Sequence, residues 1–197
     1  MLKAAVAGTN RFIVRCSESW WKVLLLFVGF GGSMAGLQMI TANFPDLSGG
    51  YPPFDMQNDL TPAGIYTQLP TYSEQAFSSY YIFQAIDFAF PLFAGLFLAA
   101  VFAFGLRHAA PHWYSVAVAR NLLVLILLAT LFDYLENLNL LAVVSAWPDQ
   151  AGTAAQLGVL AKQAKLACMY TANGLTALVL LAAAARWLGR KAGLLER

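Results

Sequence analysis

The sequence predicts an all-α protein, a bundle of four transmembrane helices. Three observations carry that expectation. Hydrophobic residues are 59% of the 197-residue chain and charged residues only 11%, far below the charged share of a soluble domain. Four apolar runs each reach the ~20 residues that a hydrocarbon layer of ~30 Å requires of a helix. Basic residues alternate between successive connections in the pattern that sets membrane orientation. At this length the runs form a single membrane domain, 1–197.

Residues 1–19 carry Lys3, Arg11 and Arg15 and suit an amphipathic helix on the membrane surface. The first span covers 20–42. A basic start before an apolar run resembles a signal peptide, with Thr41-Ala42 as its cleavage site, but the run is long for a signal core. An uncleaved anchor is therefore expected. Gly32 and Gly36 form a GxxxG, and Gly29 with Ser33 a second small-residue pair, spacings that let two helix backbones approach closely.

Residues 43–79 make the longest connection, with five of the eight prolines and the acids Asp46, Asp55, Asp59 and Glu74. Ser48-Gly49-Gly50-Tyr51-Pro52-Pro53 is turn chemistry. Pro62, Gly64 and Pro70 argue against a long helix over 60–72, whereas Ser73 is placed to cap a helix that runs on into the second span. The content of Tyr, Phe and Leu predicts a packed cap rather than disorder. Asp55, Asp59 and Glu74 read as solvated loop acids. The second span is 80–106, followed by a short turn over 107–119. The third is 120–147, and after the short 148–156 loop the fourth is 157–188.

Lys3, Arg11, Arg15, Lys22, Arg107, Arg120, Arg186, Arg190, Lys191 and Arg197 lie in or beside the N-terminus, the 107–120 turn and the C-terminus. The 43–79 and 148–156 loops hold no basic residue. Both termini are thus expected in the cytoplasm, with an extracytoplasmic loop between the first two spans. Trp20, Trp21, Trp113, Tyr114 and Trp187 would mark one interface and Tyr80, Tyr81 and Trp147 the other.

Several function classes are disfavoured. A net charge of +2 without a basic block does not suggest nucleic acid. Cys16 and Cys168 fit no metal spacing and read as free thiols. His108 and His112 form an i,i+4 pair without a third ligand, so no metal and no cofactor is expected.

The informative residues are polar ones inside the spans. Counting ~1.5 Å of rise per residue from each cytoplasmic end puts Asp133, Glu136 and Asn139 at roughly 18, 22 and 27 Å, and Asp87 at roughly 28 Å. By the same rule Gln38 lies at roughly 25 Å and Lys165 at roughly 33 Å, with a side chain long enough to reach back. Helical spacing puts Gln84, Asp87 and Pro91 on one stripe, Asp133, Glu136 and Asn137 on another with Asn139 at its edge, and Lys162 with Lys165 on a third. Pro91 lacks an N–H, so the carbonyl of Asp87 loses its helical donor, as happens where a broken helix lines a site.

Asp87-Phe88-Ala89-Phe90-Pro91 and Phe132-Asp133-Tyr134-Leu135-Glu136-Asn137 together resemble a pattern of uncharacterised bacterial four-helix integral membrane proteins, in which a lysine on the last helix takes the place of Lys165. That resemblance spans 20–190 in layout and implies a bacterial inner (plasma) membrane. More loosely, the layout is similar to the sterol-isomerase and sigma-2-receptor membrane family, with four helices, buried acids and a proline after an acid on the second. That likeness implies sterol-like ligands; its tryptophan and histidine placement does not match, and no catalytic role is carried over.

Three functions stay open. In the first, the chain binds or transforms a membrane lipid or apolar small molecule. Asp87, Asp133 and Glu136 are then proton donors or acceptors, Lys165 orients a carboxylate or an anionic head group, and Gln38, Gln84, Asn137 and Asn139 bind ligand. In the second it is a small proton-coupled transporter using the same residues, which would favour a homo-oligomer. In the third, the polar residues only fix helix register in a structural or assembly protein.

Overall fold

The computed structural model describes residues 1–193, and among them every regular element is helical. In chain order they are α1 (Leu2–Ser17), α2 (Trp20–Leu47), a 3-10 turn (Phe54–Met56), α3 (Pro62–Gln68) and a 3-10 turn (Leu69–Thr71). Then come α4 (Glu74–Asp87), α5 (Phe90–Ala109), α6 (Pro111–Ala119), a 3-10 segment (Leu122–Leu127), α7 (Leu128–Ala146) and α8 (Gly152–Lys191). Four stretches are long and apolar enough to cross a membrane: Trp20–Leu47, Glu74–Ala109, Leu122–Ala146 and Gly152–Lys191. Each is offset from the expected bounds by a few residues. Arg197, counted above among the basic residues, lies outside the described residues.

Large apolar side chains stay exposed along these stretches, among them Leu24, Leu25, Phe27, Leu131, Leu138, Leu160, Leu178 and Leu181. So much uncovered hydrocarbon is costly in water and costs nothing against lipid tails.

The chain forms two compact units. One comprises, of the described residues, 1–28, 94–128 and 168–193. Asn10, Ile13, Cys16 and Ser17 are the buried stripe of α1, and Asn10 Nδ2 donates to the Val118 carbonyl at 3.2 Å. Ile13 packs with Ala99, Ala103, Ala117, Leu123, Ile126 and Ala172. The expected 107–119 turn is corrected here: α5 continues to Ala109, and Pro111 opens a further helix at a position where its missing N–H costs nothing. The third span starts at 122 rather than 120, because Asn121 is left-handed (φ 57°), a conformation asparagine tolerates better than most residues.

The other unit comprises 29–93 and 129–167. Here α2 runs past the expected 42 to Leu47, with Pro45 accommodated in its last turn. Gly49 (φ +76°) then ends it, and the Gly50 N–H closes back on the Pro45 carbonyl at 2.8 Å. Gly49 is also needed sterically, since a Cβ there would stand 2.7 Å from Thr71 side-chain atoms.

The following segment is a packed cap. Phe44, Phe54, Ile65, Leu69, Tyr72 and Tyr80 are buried together with Leu140, Val143 and Val144 of α7. Phe54 stacks on Tyr72 and meets Tyr80 edge-on, at centroid distances of 5.5 and 5.7 Å. Gln57 and Gln68 exchange amide hydrogen bonds at 2.8 and 2.9 Å, and Ser73 caps α4 by accepting from the Ala76 N–H. Close approach of α2 to α5 occurs at Gly29, where a Cβ would meet the Phe93 ring at 2.5 Å, and not at Gly32, which has open space.

Candidate functional site

The break between α4 and α5 sets the geometry. With proline at position 91, the Asp87 carbonyl has no donor four residues on, and the helix is interrupted at Phe88-Ala89. The third span supplies replacements. Asn137 Nδ2 points at the Asp87 carbonyl (3.5 Å), the Tyr134 hydroxyl donates to the Phe88 carbonyl (3.0 Å), and the Thr130 hydroxyl donates to that of Pro91 (2.8 Å). Polar side chains of α7 at i, i+4 and i+7 thus meet the break and the helix ends that flank it, as buried irregular backbone requires.

The charged residues gather beside this break. Glu136 is fully buried between two ammonium groups, Lys162 Nζ at 2.7 Å from Oε1 and Lys165 Nζ at 2.5 Å from Oε2. Lys165 also lies 3.4 Å from Asp133 Oδ1. Lys162 donates to the backbone carbonyl of Asp55 at 2.9 Å, which ties the cap to the helices. Asp87 has no ion-pair partner among the described residues; its Oδ2 accepts from Asn137 Nδ2 at 2.8 Å.

Asp55 is the residue the sequence misplaces. Expected as a solvated loop acid, it sends its carboxyl inward, where Oδ2 accepts from the Tyr80 hydroxyl (3.0 Å) and Gln84 Nε2 (2.7 Å). Its Oδ1 is sealed from solvent without a partner among the described residues. Burial pushes the Asp55 carboxyl up from 3.8 to about 6; the Glu136 carboxylate adds to the rise, and Lys165, Lys162 and the Tyr80 hydroxyl oppose it. Burial, and then the Asp55 charge, likewise raises the Tyr72 phenol. The only hint in the sequence is that Asp55 follows Pro52-Pro53-Phe54, an apolar run too rigid to be a free loop tip.

Six of the eight expected site residues are thereby brought together: Asp87, Asp133, Glu136, Lys165, Gln84 and Asn137. Gln38 is a correction. It is exposed, and its buried neighbour is Leu37, because one helical step of about 100° turns it away from the packed face. Asn139 is the second correction: its Nδ2 bonds back to the Leu135 carbonyl on its own helix at 2.7 Å. Lys162, Asp55, Tyr80 and Tyr134 join the six.

The cluster thus holds four carboxyl groups (Asp55, Asp87, Asp133, Glu136) and two ammonium groups (Lys162, Lys165), of which only Asp133 and Glu136 are ion-paired among the described residues. Gln84 Oε1 and Asn137 Oδ1 are also buried without donors among the described residues. Each amide is oriented by the carboxylate its nitrogen faces, so both leave an acceptor pointing away from that bond. The two cysteines are free, and no cluster of His, Cys, Asp and Glu suited to a metal occurs among the described residues. No family model, curated protein or solved structure matches this chain.

Proposed function

We propose that this chain is a four-span protein of an inner (plasma) membrane, with both termini cytoplasmic and the 48–73 cap outside. In this reading the buried cluster binds, or transforms by proton transfer, a lipid-like ligand. The observation that carries it is the imbalance of the cluster. A salt bridge that only fixes helix register needs one cation per carboxylate, and unpaired buried charge is costly. Here two more carboxyls than ammonium groups are held in a largely dry setting, with the Gln84 and Asn137 oxygens unmet beside them. Such a group has protons to give and acceptors to offer. Asp87 is the proposed exchanging carboxyl, because it has a hydrogen-bond donor and no cation. Glu136 and Asp133 hold Lys165 in place, and Lys165 would orient an anionic or polar head group.

A second reading, a proton-coupled carrier, is favoured by one feature. The interruption at Phe88-Ala89 lies next to Asp87, and carriers place coupling sites at broken helices. Copurified lipid and uptake separate the two. Wild type and Glu136→Gln are purified in neutral detergent, extracted and compared by mass spectrometry, with thermal unfolding run in parallel. A small apolar molecule present in wild type and depleted in a folded Glu136→Gln supports the ligand site. Proton-dependent uptake into liposomes that Asp87→Asn abolishes would favour the carrier. No ligand and no uptake, with lower stability of Glu136→Gln, would leave the cluster a structural core.

A further inference from the structure

The α1 helix shows two faces. Its buried stripe is spent on protein contacts through Asn10, Ile13 and Cys16. Arg11 and Arg15 stand one turn apart on the exposed side, with Phe12 beside them 48% exposed. Neither guanidinium has a hydrogen-bond or ion-pair partner among the described residues. The nearest acid in sequence, Glu18, is engaged elsewhere, 3.6 Å from Arg107, which also donates to the Ser17 carbonyl. Lys22 adds a third cation from the start of α2, its Nζ 3.5 Å from the Arg15 carbonyl. Trp20 and Trp21 are exposed at the same turn.

We infer that α1 is a binding surface for the phosphate head group of an anionic phospholipid. The chemistry is complementary in each part. Arginine forks match phosphate oxygens, and two forks one turn apart with a lysine nearby can share one phosphate or two neighbouring ones. Phe12, Trp20 and Trp21 suit the boundary between head groups and acyl chains. The position is also right, since α1 ends three residues before the first span begins at Trp20. The helix cannot roll to solvate its arginines elsewhere, because Asn10 and Ile13 pin it to the Val118 carbonyl and the Ala117–Leu123 region. The inference rests on the membrane-spanning reading but not on the buried cluster.

The test uses the full chain in nanodiscs of phosphatidylcholine doped with phosphatidylglycerol, with bound lipid counted by native mass spectrometry after release. Each basic residue near an anionic surface contributes about fivefold, so two give a preference for phosphatidylglycerol on the order of 30-fold, weakened by salt. Arg11→Gln/Arg15→Gln should lose most of that preference while keeping the wild-type thermal transition. Asp59→Asn, which removes an exposed charge of the cap instead, should keep it. Equal retention of both lipids by wild type would overturn the inference, and so would an undiminished preference in the double variant. If the double variant proves less stable, the single Arg11→Gln, on the exposed face of α1, decides by the same criterion. Incorporation into the nanodisc in every case separates failure of this inference from failure of the membrane reading.

Discussion

Lys162 Nζ lies 2.7 Å from Glu136 Oε1 with both side chains almost wholly withdrawn from solvent, at 2% and 0% exposure. A pair this deep gains little over an apolar substitute, but breaking it from one side strands a charge. Lys162→Met should destabilise the protein by about 1–3 kcal/mol, because Glu136 Oε1 loses its partner while Oε2 keeps Lys165. Adding Glu136→Gln to Lys162→Met should recover part of that loss. Reversible unfolding in a defined micelle, run as a double-mutant cycle, checks both. Additive effects of the two changes would show that the pair is not coupled.

Asp55 gives a pH dependence of known sign. Its carboxyl is raised from 3.8 to about 6 in the folded protein, so the folded state holds the proton more tightly than the unfolded chain does. Between those values the folded protein binds more protons, and its stability falls as pH rises. The contribution is fully present below the unfolded value and is lost as pH passes through about 6. Melting curves of wild type and Asp55→Asn at pH 4, 5, 6 and 7 should thus draw apart by pH 7, wild type losing stability that Asp55→Asn keeps. Parallel curves would show that Asp55 is not buried as described.

The break at Phe88-Ala89 depends on borrowed donors. Tyr134→Phe and Thr130→Val each remove a hydroxyl from a buried carbonyl and should each cost about 1 kcal/mol. Amide exchange across 87–92 should accelerate in both variants. A Tyr134→Phe protein as stable and as protected as wild type would mean that the Phe88 carbonyl finds water instead.

Helix approach can be tested with two glycines of the same segment. Gly29→Ala drives a Cβ into the Phe93 ring, including its Cγ, which is not a flexible tip, and should cost about 1–3 kcal/mol. Gly32→Ala meets open space and should be neutral or stabilising by up to about 1 kcal/mol. The reverse order would restore the GxxxG at Gly32 and Gly36 as the packing motif.

Much of this was legible in the chain because lipid forces a simple code. Span number follows from apolar length, and the α7 stripe of Asp133, Glu136 and Asn137 follows from helical period. Pro91 located the break, since a missing N–H acts locally whatever the fold. Gln38 was placed with the cluster by depth alone and is exposed, because α2 is apolar on all sides and no stripe in its sequence says which face is packed. Asp55 was missed for a different reason. Its burial is set by how residues 48–73 fold back over Tyr80 and Gln84, a long-range event to which neither period nor propensity speaks. Lys162 was seen on the stripe of Lys165, but its engagement with Glu136 rather than the interface depends on helix rotation that spacing alone does not fix.

If the cluster serves a ligand and is more than a staple, Asp87→Asn should reveal it. Asp87 has Asn137 as its side-chain partner and no cation, so the isosteric amide should leave the fold intact. Native mass spectra of wild type and Asp87→Asn, released from the same neutral detergent, would be compared alongside their melting temperatures. Equal melting temperatures, a bound small apolar molecule on wild type, and its loss from Asp87→Asn are expected. Wild type emerging free of any such molecule, or Asp87→Asn retaining it in full, would contradict the claim.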